Sequence, residues 1–198
     1  DAGGNAVGFR QNTWVGSGRI ALGNIIVNSL GGTNRIVTNT YTHGISGNLT
    51  ITSGDYQGAS YYVAGNIVNN GTLTTTGTLF LAKYLSGTAS AATDPQTISG
   101  SGVFRNSTTT TTASFSSLTV NNTSSGGVTP GIPLSVSSTL TLTAGIVNTT
   151  AANILTLGTA TAAGTLSGGS ATAYINGPFA RRFAASRTAT GTYTVATL

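Results

Sequence analysis

Cysteine, methionine and glutamate are missing from this chain, and whole classes of chemistry go with them. Without cysteine there is neither a disulfide framework nor a thiolate nucleophile. With His43 the only histidine, no His/Cys metal cluster can be assembled. The acids are Asp1, Asp55 and Asp94 alone. Glycoside hydrolysis generally needs two carboxylates held roughly 5 to 9.5 Å apart, and a calcium-dependent lyase needs further acids for its ion. Asp55 and Asp94 are too few and too far apart in sequence to predict either. His43 and Asp55 stand near nothing with the form of a nucleophile elbow, so no Ser-His-Asp unit is expected, and His43 reads as a corner or surface residue. The chain is therefore expected to be non-enzymatic, with no catalytic residue, no metal and no cofactor.

Charge is also scarce. Lys and Arg number 8 against 3 acids, a formal +5 with a pI near 10.0. Arg10, Arg19, Arg35, Lys83 and Arg105 are scattered singly and follow no aromatic stripe, so nucleic acid is not expected as a partner. None of the glycines belongs to a phosphate loop. No apolar run approaches the ~20 residues of a membrane span, so no transmembrane segment is expected. The chain opens Asp1-Ala2-Gly3-Gly4, with neither an initiator Met nor a secretory signal. That points to a processed product or an excerpt of a longer polypeptide that acts outside the cell, at the outer cell surface. Its expected partners are the rest of that polypeptide or neighbouring copies, and surface glycans.

What the chain has instead is glycine, 28 of 198 residues, and runs of alternating Leu and Thr. Leu49-Thr50-Ile51-Thr52, Leu73-Thr74-Thr75-Thr76, Leu118-Thr119-Val120-Asn121 and Leu140-Thr141-Leu142-Thr143 each have a period of two, which gives strands with one aliphatic and one hydroxylic face. Leu73, Leu118, Leu140, Leu142, Leu155 and Leu157 are expected to point inward. The phrase Gly23-Asn24-Ile25 returns as Gly47-Asn48-Leu49 and Gly65-Asn66-Ile67, at offsets of 24 and 18 residues. Repetition on that scale is the mark of stacked units that bury their apolar faces on one another. The expected fold is all-β, a parallel β-helix (β-solenoid) with irregular coils of about 18–27 residues.

Three parts are predicted along the chain. Residues 1–20 form an N-terminal irregular coil or cap, residues 21–170 the solenoid body, and residues 171–198 a last coil and the start of a truncated following β-domain. Trp14, the only tryptophan, either packs in the core or stacks on carbohydrate. Tyr61 and Tyr84 either stack on sugars or on aromatic neighbours one coil away. Two excursions, Ser86 to Gln96 and Asn106 to Ser114, are expected to project as contact loops or featureless spacers; the second carries Thr108, Thr110 and Thr112. Arg181, Arg182 and Arg187 form the one local basic cluster, suited to an acidic partner or to the rim of a final coil. These residues are the candidate surface contacts.

The wording of Leu140-Thr-Leu-Thr-Ala-Gly-Ile-Val-Asn148, Asn153-Ile-Leu-Thr-Leu-Gly158 and Tyr174-Ile-Asn-Gly-Pro-Phe-Ala-Arg-Arg182 resembles the β-helical repeat region of large secreted surface proteins of Bacteroidetes. More loosely it resembles the passenger domains of autotransporter adhesins. The first resemblance implies export by the type IX secretion pathway, although the sorting domain of that family is not in this sequence. It makes a structural or adhesive cell-surface segment the leading expectation. The alternatives are a carbohydrate-binding or carbohydrate-active β-helix and an ice-binding Thr-rich solenoid. For the last, Thr50-x-Thr52, Thr74-x-Thr76 and Thr141-x-Thr143 supply the units, but at offsets of 24 and 67 residues that fit no single coil length.

Overall fold

A computed structural model describes residues 21–28, 35–37, 42–85, 87–107 and 113–183. Its regular structure is β-strand, and all pairing between sequence-distant strands is parallel in the main sheet. Leu/Thr alternation decides which face goes in. Leu73, Leu118, Leu140, Leu142, Leu155 and Leu157 are all buried, joined by Leu49, Ile51, Ile67, Leu79 and Ile98 in one continuous core. Each such side chain contributes about 1.5–3 kcal/mol by leaving water. The core thus holds a chain that has no disulfide to tie it.

The hydrogen bonds correct the expected architecture. An open β-helix of separate irregular coils would leave its faces as distinct sheets, whereas here a single 15-stranded sheet folds back on itself. One limb passes from Ala21–Leu22 through Thr42–Ile45, Ser60–Val63, Thr78–Leu81 and Phe115–Asn121 to Leu134–Asn148. The other returns from Leu134–Asn148 through Val128–Pro130, Gln96–Ser99, Ile67–Asn69 and Leu49–Ser53 to Ile25–Asn28. The path ends beside its own beginning, since only Gly23 and Asn24 separate Leu22 from Ile25. The result is a nearly closed parallel barrel.

Closure depends on Leu134–Asn148, a strand of 15 residues that belongs to both limbs. It stays extended around its corner because the corner is Gly145, at φ 89°. There its N–H donates to Thr172 O at 2.9 Å while Asn122 N–H donates to Ala144 O at 3.0 Å. A bulge between Val120 and Asn121, opposite Leu142 and Ala144, bends the sheet just before this corner, and a second lies further up the strand, between Phe115 and Ser117. A separate sheet of four strands, Arg35–Val37, Asp55–Gly58, Thr72–Thr75 and Val103–Arg105, lies alongside.

The repeated Gly-Asn phrase has a direct structural cause. Asn24 Oδ1 accepts the Asn48 N–H at 2.8 Å, Asn48 Oδ1 accepts the Asn66 N–H at 2.8 Å, and Asn66 Oδ1 accepts the Thr97 N–H at 2.8 Å. Each asparagine satisfies a backbone donor on the next strand over, where the ladder would otherwise leave it unpaired. Gly47 and Gly65 make room for the asparagine of the preceding unit: a Cβ would lie 2.3 Å from Asn24 Oδ1 at Gly47 and 2.5 Å from Asn48 Oδ1 at Gly65.

Towards the C-terminal side, Ala173–Asn176 pairs with Leu134–Asn148, and Phe179–Arg181 pairs with Leu155–Leu157. Of the two excursions, the first opens as an antiparallel hairpin, Lys83–Leu85 with Thr88–Ser90, and ends in the buried Gln96. The Thr108–Thr112 run lies outside the described residues, as do residues 1–20. Among the described residues no helix is long and apolar enough to cross a membrane.

Candidate functional site

Strand alternation gives the first limb an outer face made of two side-chain columns. Cross-strand register aligns Thr42 with Ser60, Thr78 with Ser117, and Ser117 with Thr139 and then Thr165. The second column runs Gly44, Tyr62, Phe80, Thr119, Thr141, Ser167. The residues between them, Tyr61, Leu79, Leu118 and Leu140, point into the core. No charged residue stands in either column.

Three aromatic rings begin the second column. Tyr62 and Phe80 stack with centroids 4.0 Å apart and planes 3° from parallel, and Tyr84 lies on the other side of Tyr62 at 4.6 Å. Tyr84 comes from the hairpin, which folds back over Gly44; a Cβ there would meet the Tyr84 ring at 3.1 Å. The stack stops at Phe80. Its next neighbour in the column is Thr119, a short side chain, so Phe80 is half-buried where the rings give way to hydroxyls. The arrangement is a step with an aromatic wall and a threonine floor.

Beneath this face lies a buried polar and aromatic network. Tyr61 packs on Tyr56 at 5.0 Å and on His43 at 5.8 Å, all three buried. Burial pushes the Tyr56 phenol far above its ordinary range. Gln96 and Asn122, also buried, satisfy one another between the limbs. Asn122 Nδ2 donates to Gln96 Oε1 at 2.9 Å and to Asp94 O at 2.9 Å, and Gln96 Nε2 donates to Val63 O and Gly65 O, each at 2.8 Å. Such a network fixes register because each amide has one arrangement that satisfies it.

His43 is thus an interior residue of Thr42–Ile45 and not the corner or surface residue expected, since its strand position faces the core. Its Nε2 is buried with no partner among the described residues. Desolvation lowers its pKa from the ordinary 6.5, so the unfolded chain takes up a proton before the folded one does. The stability gained from neutral His43 is fully present above the unfolded value and lost as pH falls through the folded one. We expect the thermal midpoint to drop as pH is lowered below about 6.5. His43→Phe should flatten that dependence; an unchanged slope would place the titration elsewhere.

The other candidate contacts fall as follows. Tyr61 is fully buried and belongs to the core, not to a contact surface, because its strand position faces inward. Tyr84, at 8 % exposure, is held by its hairpin against Gly44 and Tyr62 and contributes to the aromatic stack. Arg181 donates from Nη2 to Gly164 O at 3.4 Å and lies 5.9 Å from the Phe183 ring, while Arg182 is exposed. Trp14, Thr108, Thr110, Thr112 and Arg187 lie outside the described residues. Sequence reasoning missed Tyr62, Phe80, Thr119, Thr139 and Thr141 as a group. Their alternation was visible, but their register was not. A cleft of about 300 Å³ near Phe104 and Phe115 is a weaker candidate, because Phe115 is fully buried and Phe104 is 6 % exposed, so its aromatic floor is shut off.

Fold and site together define an all-β domain with a nearly closed parallel sheet and a buried polar and aromatic network. No family model, no curated protein and no solved structure matches the chain. The resemblance to Bacteroidetes β-helical surface repeats, and with it the adhesin and type IX secretion expectations, is corrected by the closed path of the sheet. The Leu/Thr/Gly wording that carried it follows from parallel strand stacking in general.

Proposed function

We propose that this is a carbohydrate-binding domain for neutral glycans, in preference to a purely structural segment, and that it acts without catalysing a reaction. The observation that carries this reading is the step at Phe80. There an aromatic face with a stacked partner behind it meets aligned hydroxyls from Ser117, Thr119, Thr139 and Thr141. A pyranose has the same division of surface. Its C–H face packs on an aromatic ring, and its equatorial hydroxyls exchange hydrogen bonds with hydroxyls that both donate and accept. The lack of charge in both columns favours neutral sugars, because a carboxylate or phosphate would lose hydration there with nothing to compensate. An extracellular setting, where such glycans are met, is part of the same proposal.

Affinity electrophoresis against a panel of neutral and acidic polysaccharides tests it. Retardation by at least one neutral polysaccharide is expected, with Phe80→Ala weakening it about tenfold, the equivalent of one good aromatic contact. Retardation by none of them, or equal retardation of the variant, would overturn the reading.

A further inference from the structure

Resting on the glycan reading above, we infer that the preferred ligand is an ordered, insoluble neutral polysaccharide whose sugar rings are stacked face to face, with chains running parallel to the protein strands. The geometry of the stack points to it. The Tyr62 and Phe80 planes are 3° from parallel with centroids 4.0 Å apart, so the ring normals run roughly along the column and not out into solvent. A sugar packed on the free side of Phe80 adopts the same orientation. Its ring plane then contains the strand direction, and a glycan chain passing through it runs along the strand, over Ser117 and Thr119.

The next strand repeats the floor. Ser117 and Thr119 are in register with Thr139 and Thr141, and these with Thr165 and Ser167. Adjacent strands lie about 4.7–4.9 Å apart, and the two positions on one strand are about 7 Å apart. A second chain stacked on the first falls over Thr139 and Thr141, and a third over Thr165 and Ser167, each meeting the same hydroxyl pair. The protein then continues the aromatic stack as a stack of sugar rings, one chain per strand. A soluble single chain can occupy only the tier beside Phe80, whereas an ordered array occupies every tier at once, with the avidity of linked sites.

The experiment is depletion of the intact protein from solution by crystalline chitin and crystalline cellulose, alongside binding of their soluble hexasaccharides. Retention on one of the solids at least tenfold tighter per site than on its hexasaccharide is expected, and Thr141→Lys should reduce it about tenfold. Thr50→Lys, on the outer face of the other limb, should leave it unchanged. Equal affinity for solid and hexasaccharide would overturn the stacked-chain inference while leaving glycan binding intact. No binding to either form, with retention by another neutral glycan, would likewise overturn it. Binding to no glycan at all would remove the underlying reading as well. Adsorption to ice in the absence of glycan binding would assign the hydroxyl lattice to ordered water and overturn both.

Discussion

Leu142→Asp is expected to leave the chain without a cooperative fold. Leu142 is 1 % exposed, is in register with Val120 on one side and Gly168 on the other, and belongs to the strand that joins the two limbs. An aspartate there would be buried among aliphatic side chains with no cation within the described core. The cost is about 5 kcal/mol or more, combining an unpaired charge with lost packing. That is comparable with the whole stability of a typical domain, about 5–15 kcal/mol. Circular dichroism should show no sigmoidal melt, and expression should shift to the insoluble fraction. A variant melting cooperatively within a few degrees of the parent would mean that Leu142 does not sit in a closed core.

Gly145→Ala should be nearly as damaging, for a backbone reason. At φ 89° an L side chain is strained, and a Cβ would stand 1.7 Å from Asn122 O, which cannot move without breaking the corner. Together these are worth about 3–5 kcal/mol. Gly23→Ala provides the comparison, because nothing lies within 4 Å of a Cβ there. Its effect should stay within about 0.5 kcal/mol. Chemical denaturation of the two variants side by side measures the difference. Equal stability would show that closure does not depend on the turn at Gly145.

Much of the interior was legible in the sequence, because alternation is a local property. Leu118 and Leu140 announce their side of the sheet from neighbours one residue away. The Gly-Asn phrase also announced a structural repeat, and its offsets of 24 and 18 residues are the separations at which Asn24 meets Asn48 and Asn48 meets Asn66. The closure of the sheet was not legible. It rests on a single strand passing through a glycine corner, and the sequence Thr143-Ala144-Gly145-Ile146 reads equally well as a break between two strands.

The site was hidden by register for the same reason. Thr50, Thr74 and Thr141 look alike in the sequence, yet Thr74 is 1 % exposed and on another sheet, so the triplets chosen from the sequence do not form one surface. The aligned set, from Ser117 and Thr119 to Thr165 and Ser167, is separated by offsets that only the pairing reveals. Tyr61 and Tyr62 make the point within one dipeptide: one is core and the other is face, and nothing in their chemistry distinguishes them. Tyr84 was placed over Gly44 by a hairpin whose fold-back the low-complexity excursion did not disclose.

Amide chemical-shift mapping during titration with a neutral oligosaccharide will show whether the outer face of the first limb is the glycan-binding surface. Perturbations are expected to concentrate at Tyr62, Thr78, Phe80, Ser117, Thr119 and Thr141, with little change at Thr50 and Val68 on the opposite limb. Perturbations centred on the opposite limb, or none at saturating sugar, would contradict that assignment.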